Sequence, residues 1–181
     1  MIKKFSRWLL YKRLGWTADV NGELPQKCVI CLAPHTSNWD FVYSMLYGKA
    51  EGLKSNFLMK KEWFFWPLGP IFRKLGGIPV YRNKKSSMTD NLAETAMREK
   101  SFRLAITPEG TRKANPEWKR GFYYIALKAG IPILLYGLDF ERKLIYCHRS
   151  FVPAGDVEKD MQEIKEYYKD FKGKKPEQFA Y

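Results

Sequence analysis

Histidine is nearly missing from this chain: two occur in 181 residues, so chemistry that needs an imidazole has only His35 and His148 to draw on. Cysteine is almost as sparse. Three cysteines, an odd number, build no disulfide framework and fit a reducing compartment. Cys28 and Cys31 form a C-x-x-C, but residues three apart on a strand point to opposite faces, so the pair can neither share a metal nor bridge readily. No metal site is expected, and no resident cofactor. Acidic residues are also short, 19 against 32 lysines and arginines, and the formal charge of +13 calls for an anionic partner: nucleic acid, an acidic membrane or a phosphorylated ligand.

Long hydrophobic runs are lacking too. Trp63 to Phe72 is broken by Pro67, Gly69 and Pro70, and Ile131 to Leu138 is short, so neither reaches the roughly 20 residues that span a bilayer. The start of the chain does not read as a cleavable signal, because Lys3, Lys4, Arg7, Lys12 and Arg13 interrupt its apolar residues. Instead its first ten residues are amphipathic. At roughly 100° per residue Ile2, Phe5, Trp8 and Leu9 share one face and Lys3, Lys4 and Arg7 the other, while Lys12 and Arg13 rotate back toward the apolar sector. Residues 1–15 are therefore expected either to lie on an anionic leaflet or to pack on the core with their lysines in water. Aromatic residues make up 16% of the chain, which suits a membrane interface, although bases also stack on aromatics. The location expected is cytoplasmic, peripheral on the inner face of the cell membrane.

What is present is a pair of polar turns, each following an apolar run. Cys28 to Ala33 reads as a buried strand, and after it His35 and Asp40 bracket Thr36, Ser37, Asn38 and Trp39 in a His-x4-Asp box. If a helix starts near Ser37 or Asn38, Asp40 lies in its first turn and can reach back to Nδ1 of His35. This is the arrangement that general-base activation of a hydroxyl requires. Phe102 to Ile106 is a second apolar run, ending in Thr107-Pro108-Glu109-Gly110-Thr111-Arg112. Ligands in open α/β sheets bind at such strand ends, so the two turns suggest one site.

Four segments in order resemble the motifs of the glycerolipid acyltransferases, the family typified by lysophosphatidic acid acyltransferase. They are His35 to Asp40, Gly76-Gly77-Ile78-Pro79-Val80-Tyr81-Arg82, Pro108 to Arg112, and Gly130-Ile131-Pro132-Ile133. Lys60-Lys61-Glu62-Trp63, Trp66-Pro67-Leu68-Gly69 and Trp118 to Tyr123 are similar to a short, soluble-looking branch of that family. The resemblance implies a glycerolipid acyltransferase fold, with His35 as base and Asp40 as its orienting carboxylate. It also implies an acyl-CoA or acyl carrier protein thioester as co-substrate and a lysolipid acceptor, by default 1-acyl-glycerol-3-phosphate. An acylated amino-acid lipid or another lysolipid is the alternative acceptor. Arg82 and Arg112 can each give a forked contact to phosphate and Lys60 a point charge, while Gly110 and Thr111 belong to the same turn. Glu109 is assigned a positioning role, fixing Arg112 or a substrate hydroxyl. Trp63 to Phe72 and Phe41 to Leu46 are candidate surfaces for an acyl chain.

Apolar strands alternate with helical periods from residue 28 onward, without internal repeats, so the chain is expected to be α/β: a single domain over residues 1–181 with a mostly parallel or mixed central sheet flanked by helices. Strands are expected at Cys28 to Ala33, Asn56 to Met59, Ile78 to Tyr81, Phe102 to Thr107, Ile133 to Asp139 and Leu144 to His148. Helices are expected near Asn38 to Glu51, Pro67 to Leu75, Ser87 to Lys100 (with a Ser87-x-x-Asp90 capping box) and Lys119 to Ala129. A C-terminal amphipathic helix carries Val157, Met161, Ile164, Tyr168 and Phe171, ahead of a polar tail from Lys172 to Tyr181. Two other classes compete with an acyltransferase. A serine hydrolase would use His and Asp, but the Gly-x-Ser-x-Gly elbow is absent. A basic nucleic-acid or membrane binding module would explain the charge and leave both turns without a role; no nucleic-acid partner is expected.

Overall fold

The computed structural model describes residues 1–81 and 85–181, the side chains of 85–87 excepted. Its elements, in order, are α1 (Ile2–Arg7), β1 (Thr17–Val20), β2 (Lys27–Ala33), α2 (Asn38–Glu51), β3 (Asn56–Lys60), α3 (Leu68–Lys74), β4 (Gly77–Val80), α4 (Lys85–Arg98), β5 (Phe102–Ile106), α5 (Gly121–Ala129), β6 (Ile133–Asp139), β7 (Leu144–Cys147), β8 (Ser150–Phe151) and α6 (Val157–Tyr167). The strands form one sheet in the order β1-β7-β6-β2-β5-β3-β4, with β8 paired to β6. The six expected strands, β2 to β7, lie where the apolar runs place them.

The middle of the sheet is parallel: β6, β2, β5, β3 and β4 all run one way, while β7 and β8 run antiparallel to β6. Strands covered on both faces read as unbroken apolar runs, and every residue of β6 is buried. Alternation sorts β2 between two cores. Val29, Cys31 and Ala33 face the side covered by α4, α5 and α6, whereas Cys28 and Leu32 face Leu10, Trp16, Tyr47 and Ala50 on the side of α2 and the N-terminal segment. The two thiols are therefore buried on opposite faces, free and apart.

Three expectations about elements need correction. Strand β1 went unforeseen because Thr17–Val20 is a mostly exposed edge strand with little apolar content to mark it. It pairs with β7, and Asp19 Oδ1 lies 2.6 Å from His148 Nε2, which gives that histidine its structural partner. Helix α4 begins at Lys85, so Ser87 lies inside it and not at its cap. The capping box belongs to α2, where Ser37 is the N-cap and Asp40 the third helical residue. The segment Lys172 to Tyr181, read as a polar tail, packs back across the open end of the sheet.

The N-terminal segment is amphipathic as expected, and it docks by its polar side. Lys3 Nζ donates to the Glu51 carbonyl at 3.2 Å, Arg7 Nη1 to both Glu51 carboxylate oxygens at 2.7 and 2.8 Å, and the Tyr11 hydroxyl to Glu51 at 2.6 Å. Ser6 and Leu10 are buried beneath. Ile2, Phe5 and Trp8 are left exposed. From Trp8 to Arg13 the winding is π-helical, so successive side chains turn through a smaller angle and the simple helical phase no longer holds there.

Candidate active site

Strand β2 ends at Ala33, and α2 begins at Asn38 after four intervening residues. The turn between them is closed by Asp40, fully buried in the first turn of α2. Its Oδ2 accepts the backbone N–H groups of Thr36 and Ser37, both at 2.8 Å, and lies 3.1 Å from His35 Nδ1. Ser37 returns the cap, its hydroxyl accepting the Trp39 N–H at 3.2 Å. Helix starts leave N–H groups without intrahelical partners, which is why a carboxylate settles here. The same atom then fixes the imidazole. When Nδ1–H donates to Asp40, Nε2 is left with its lone pair, on a side chain that is 19% exposed.

Parallel pairing of β2 with β5 aligns Cys31 with Ile106, so the turn after β5 emerges beside His35. Glu109, 3% exposed, accepts the His35 backbone N–H on Oε1 at 2.7 Å. Its Oε2 is buried without a hydrogen-bond partner among the described residues. Burial is the largest cause of an upward shift of this carboxyl from 4.5 to about 7; hydrogen bonds from the backbone, including His35 N–H, oppose the shift. Arg112 Nη1 donates to Asn38 Oδ1, the first residue of α2. Two side-chain bonds thus stitch the turns together, and they replace the expected Glu109–Arg112 pairing.

Gly110 adopts φ +65°, a left-handed conformation open to glycine without strain. The Thr111 hydroxyl accepts the Lys113 N–H at 3.3 Å, a local turn contact. Lys60 is exposed at the end of β3, and β5 separates β3 from β2, so this lysine stands two strands away from His35. Arg82 lies outside the described residues. The structure accordingly gathers His35, Asp40, Glu109 and Arg112 into one constellation, with Gly110 and Thr111 shaping its second turn. Among the described residues no cluster of three His, Cys, Asp or Glu side chains could hold a metal ion.

Sequence reasoning missed a third component. Beyond α6, the chain returns over both turns: Lys175 N–H donates to the Thr36 hydroxyl at 3.2 Å and Gly173 packs against Thr36 and Pro34. With its amide nitrogen turned inward, Gln178 donates to the carbonyls of Thr36 at 3.2 Å and Arg112 at 2.5 Å. Trp118 Nε1 then holds the Ala180 carbonyl at 2.9 Å. Lysine-rich and short of apolar residues, this strap gives little sequence signal beyond Gly173 and Phe179.

The chain thus presents an open, mostly parallel sheet with a His–Asp pair at one strand end and an arginine-bearing turn at the next, and comparison with known proteins gives its class. The Acyltransferase family model matches residues 18–135, and the chain belongs to that family. Its fold is shared with a solved structure, the 1-acyl-sn-glycerophosphate (LPA) acyltransferase PlsC from Thermotoga maritima, at a TM-score of 0.56 and 18% identity over 95% of this chain and 80% of that one. No curated protein matches the chain significantly. The glycerolipid acyltransferase resemblance and the expected fold are thereby borne out.

Glu109 makes a pH-dependent contribution whose sign follows from its shift. Between pH 4.5 and about 7 the native carboxyl keeps a proton that the unfolded chain releases, so stability falls as pH rises through that window. At 1.36 kcal/mol per unit the full penalty is about 3 kcal/mol, present above pH 7 and gone below pH 4.5. Glu109→Gln keeps an oxygen for the His35 N–H and cannot ionise. Urea unfolding should show its stability, relative to the parent, rising by roughly 2–3 kcal/mol between pH 5 and pH 8. A difference that does not change with pH would mean the carboxyl ionises normally.

Proposed function

We propose that this acyltransferase moves a fatty acyl group from an acyl-CoA or acyl carrier protein thioester to the hydroxyl of a lysolipid, 1-acyl-glycerol-3-phosphate giving phosphatidic acid. The observation that carries this reading is the 3.1 Å approach of His35 Nδ1 to the buried Asp40 carboxylate. The acceptor hydroxyl gives its proton to His35 Nε2 as its oxygen attacks the thioester carbonyl. A new C–O bond forms, the C–S bond breaks, and the imidazolium returns the proton to the departing thiolate. Asp40 holds the ring and favours the imidazolium. No covalent enzyme intermediate is required, because the donor arrives activated.

The charge of +13 and the exposed apolar face of α1 support attachment to an anionic leaflet at the inner face of the cell membrane, where lysolipid acceptors reside. Among the described residues no helix is long and apolar enough to cross a membrane. Arg112, exposed and held near the His35 turn by Asn38, is suited to an acceptor's phosphate; Arg82 is assigned the same role from its motif, with Lys60 an outlying charge. The deciding assay incubates purified protein with acyl-CoA and a panel of acceptors, including an acylated amino-acid lipid, and identifies the product by mass spectrometry. Free fatty acid release alone would indicate a hydrolase, and DNA retention without transfer a binding module.

His35→Ala is expected to lower turnover by about 10² to 10⁴ while the protein remains folded, and Asp40→Asn to lower it less. Near-normal transfer by folded His35→Ala protein would remove the general base. Steady-state kinetics checks the phosphate assignment. Arg112→Ala or Arg82→Ala should raise KM for a phosphate-bearing acceptor by at least about tenfold, because a charged hydrogen bond is worth about 1.5–3 kcal/mol and 1.4 kcal/mol is one decade. KM for the donor should hardly move, and a neutral acceptor should be little affected. A rise confined to the donor would reassign the arginine to the thioester carrier.

A further inference from the structure

Strand β3 runs parallel to β5 and β2, so the segment that follows it emerges at the same end of the sheet as the His35 turn. Four large apolar side chains stand in solvent there: Trp63 is 45% exposed, Phe65 55%, Trp66 84% and Ile71 51%. The segment is well anchored nonetheless. Phe64 and Phe72 turn inward with ring centroids 6.2 Å apart, and Gly69 donates to the Phe65 carbonyl at 2.6 Å. A Cβ on Gly69 would stand 2.6 Å from the Phe64 carbonyl oxygen, so no larger residue fits there unless the backbone shifts. The turn is thus tightly folded, and its tryptophans face outward despite the expected role of this stretch in receiving an acyl chain within the protein.

Charge identifies what covers it. Lys60, Lys61, Arg73 and Lys74 flank the aromatic residues, all exposed, against the one acid Glu62. Lys61 Nζ sits 5.0 Å from the Tyr81 ring centroid and Arg73 lies 5.3 Å from that of Phe64, so cations and rings are interleaved. At the same end, the first two turns of α2 expose Trp39 and Val42. Tryptophan and tyrosine among lysine and arginine are the composition that settles at the headgroup level of an anionic bilayer. We propose that the segment from Trp63 to Ile71 is a docking rim that seats the open end of the sheet, and His35 with it, against an anionic lipid surface. The proposal builds on the lysolipid reading and adds a contact separate from α1, which meets α2 at Glu51, the end remote from His35.

The test compares the parent with Trp66→Ala and with a Trp63→Ala, Phe65→Ala, Trp66→Ala triple variant, using sedimentation with phosphatidylglycerol and with phosphatidylcholine vesicles. Transfer is assayed in parallel on a vesicle-embedded acceptor and on water-soluble short-chain donor and acceptor. The parent should prefer phosphatidylglycerol vesicles. The triple variant should partition at least about tenfold less and lose transfer on vesicles, with short-chain transfer and thermal unfolding unchanged. Trp66→Ala, altering the most exposed ring, should shift both vesicle measurements the same way even if the triple variant folds poorly. Unaltered partitioning, or equal losses on soluble and vesicle substrates, would overturn the rim, the latter outcome assigning these residues to the acyl path. If the parent transfers no acyl group to any acceptor, the functional reading fails while sedimentation still judges the rim.

Discussion

A single carboxylate oxygen, Asp40 Oδ2, gathers the Thr36 N–H, the Ser37 N–H and the His35 ring. Helix start, turn closure and imidazole orientation are therefore one interaction. Its strength comes from burial: with Asp40 removed from water, an imidazole or a backbone N–H has no competing solvent. Among the described residues the partner oxygen Oδ1 has no hydrogen bond, so there the carboxylate leans on the turn it closes. Glu109 adds a second buried carboxylate on the other side of His35, gripping the backbone where Asp40 grips the ring. A rigid frame for one side chain costs the fold two acids of reduced solvation, which is a common feature of functional sites.

The His35–Asp40 contact was legible because it is local: five residues, a strand end and a helix start determine it. Its neighbours were not. Glu109 reaches His35 across 74 residues, and only the adjacency of β2 and β5 brings them together. Periodicity finds strands but does not order them, so the Glu109 bond to the His35 N–H was not foreseen. Strands β2 and β6 were readable because burial on both faces leaves an apolar run, and β3, β4, β5 and β7 because each keeps a short apolar stretch. Edge strand β1 and the lysine-rich strap carry no such mark, since backbone hydrogen bonds to Thr36 and Trp118 and a few buried contacts hold the strap in place. In α1 the amphipathic pattern was clear, but Glu51, the residue that decides which face docks, lies more than 40 positions away.

The strap and the two turns form a three-layered clamp in which Thr36 is the shared point: its N–H goes to Asp40, its hydroxyl receives Lys175, and its carbonyl receives Gln178. On the proposed function, chemistry and lipid attachment are separated on this frame. The proposed catalytic groups, His35 and Asp40, are half-buried and buried at the strand end, whereas the exposed apolar side chains of α1 and of the segment after β3 take no part in holding them. On the proposed function, such a division lets the protein act on an amphiphile that stays in its bilayer.

In the proposed mechanism Asp40 selects the imidazole form that can accept a proton from a hydroxyl. Nitrogen-15 NMR of the histidine rings reads this directly, with His148→Gln protein used to assign the two residues. At a pH where His35 is neutral, Nδ1 is expected to be protonated and Nε2 unprotonated, with the preference lost in Asp40→Asn. A neutral ring carrying its proton on Nε2 would contradict it, because the nitrogen left free would then be the one that faces Asp40.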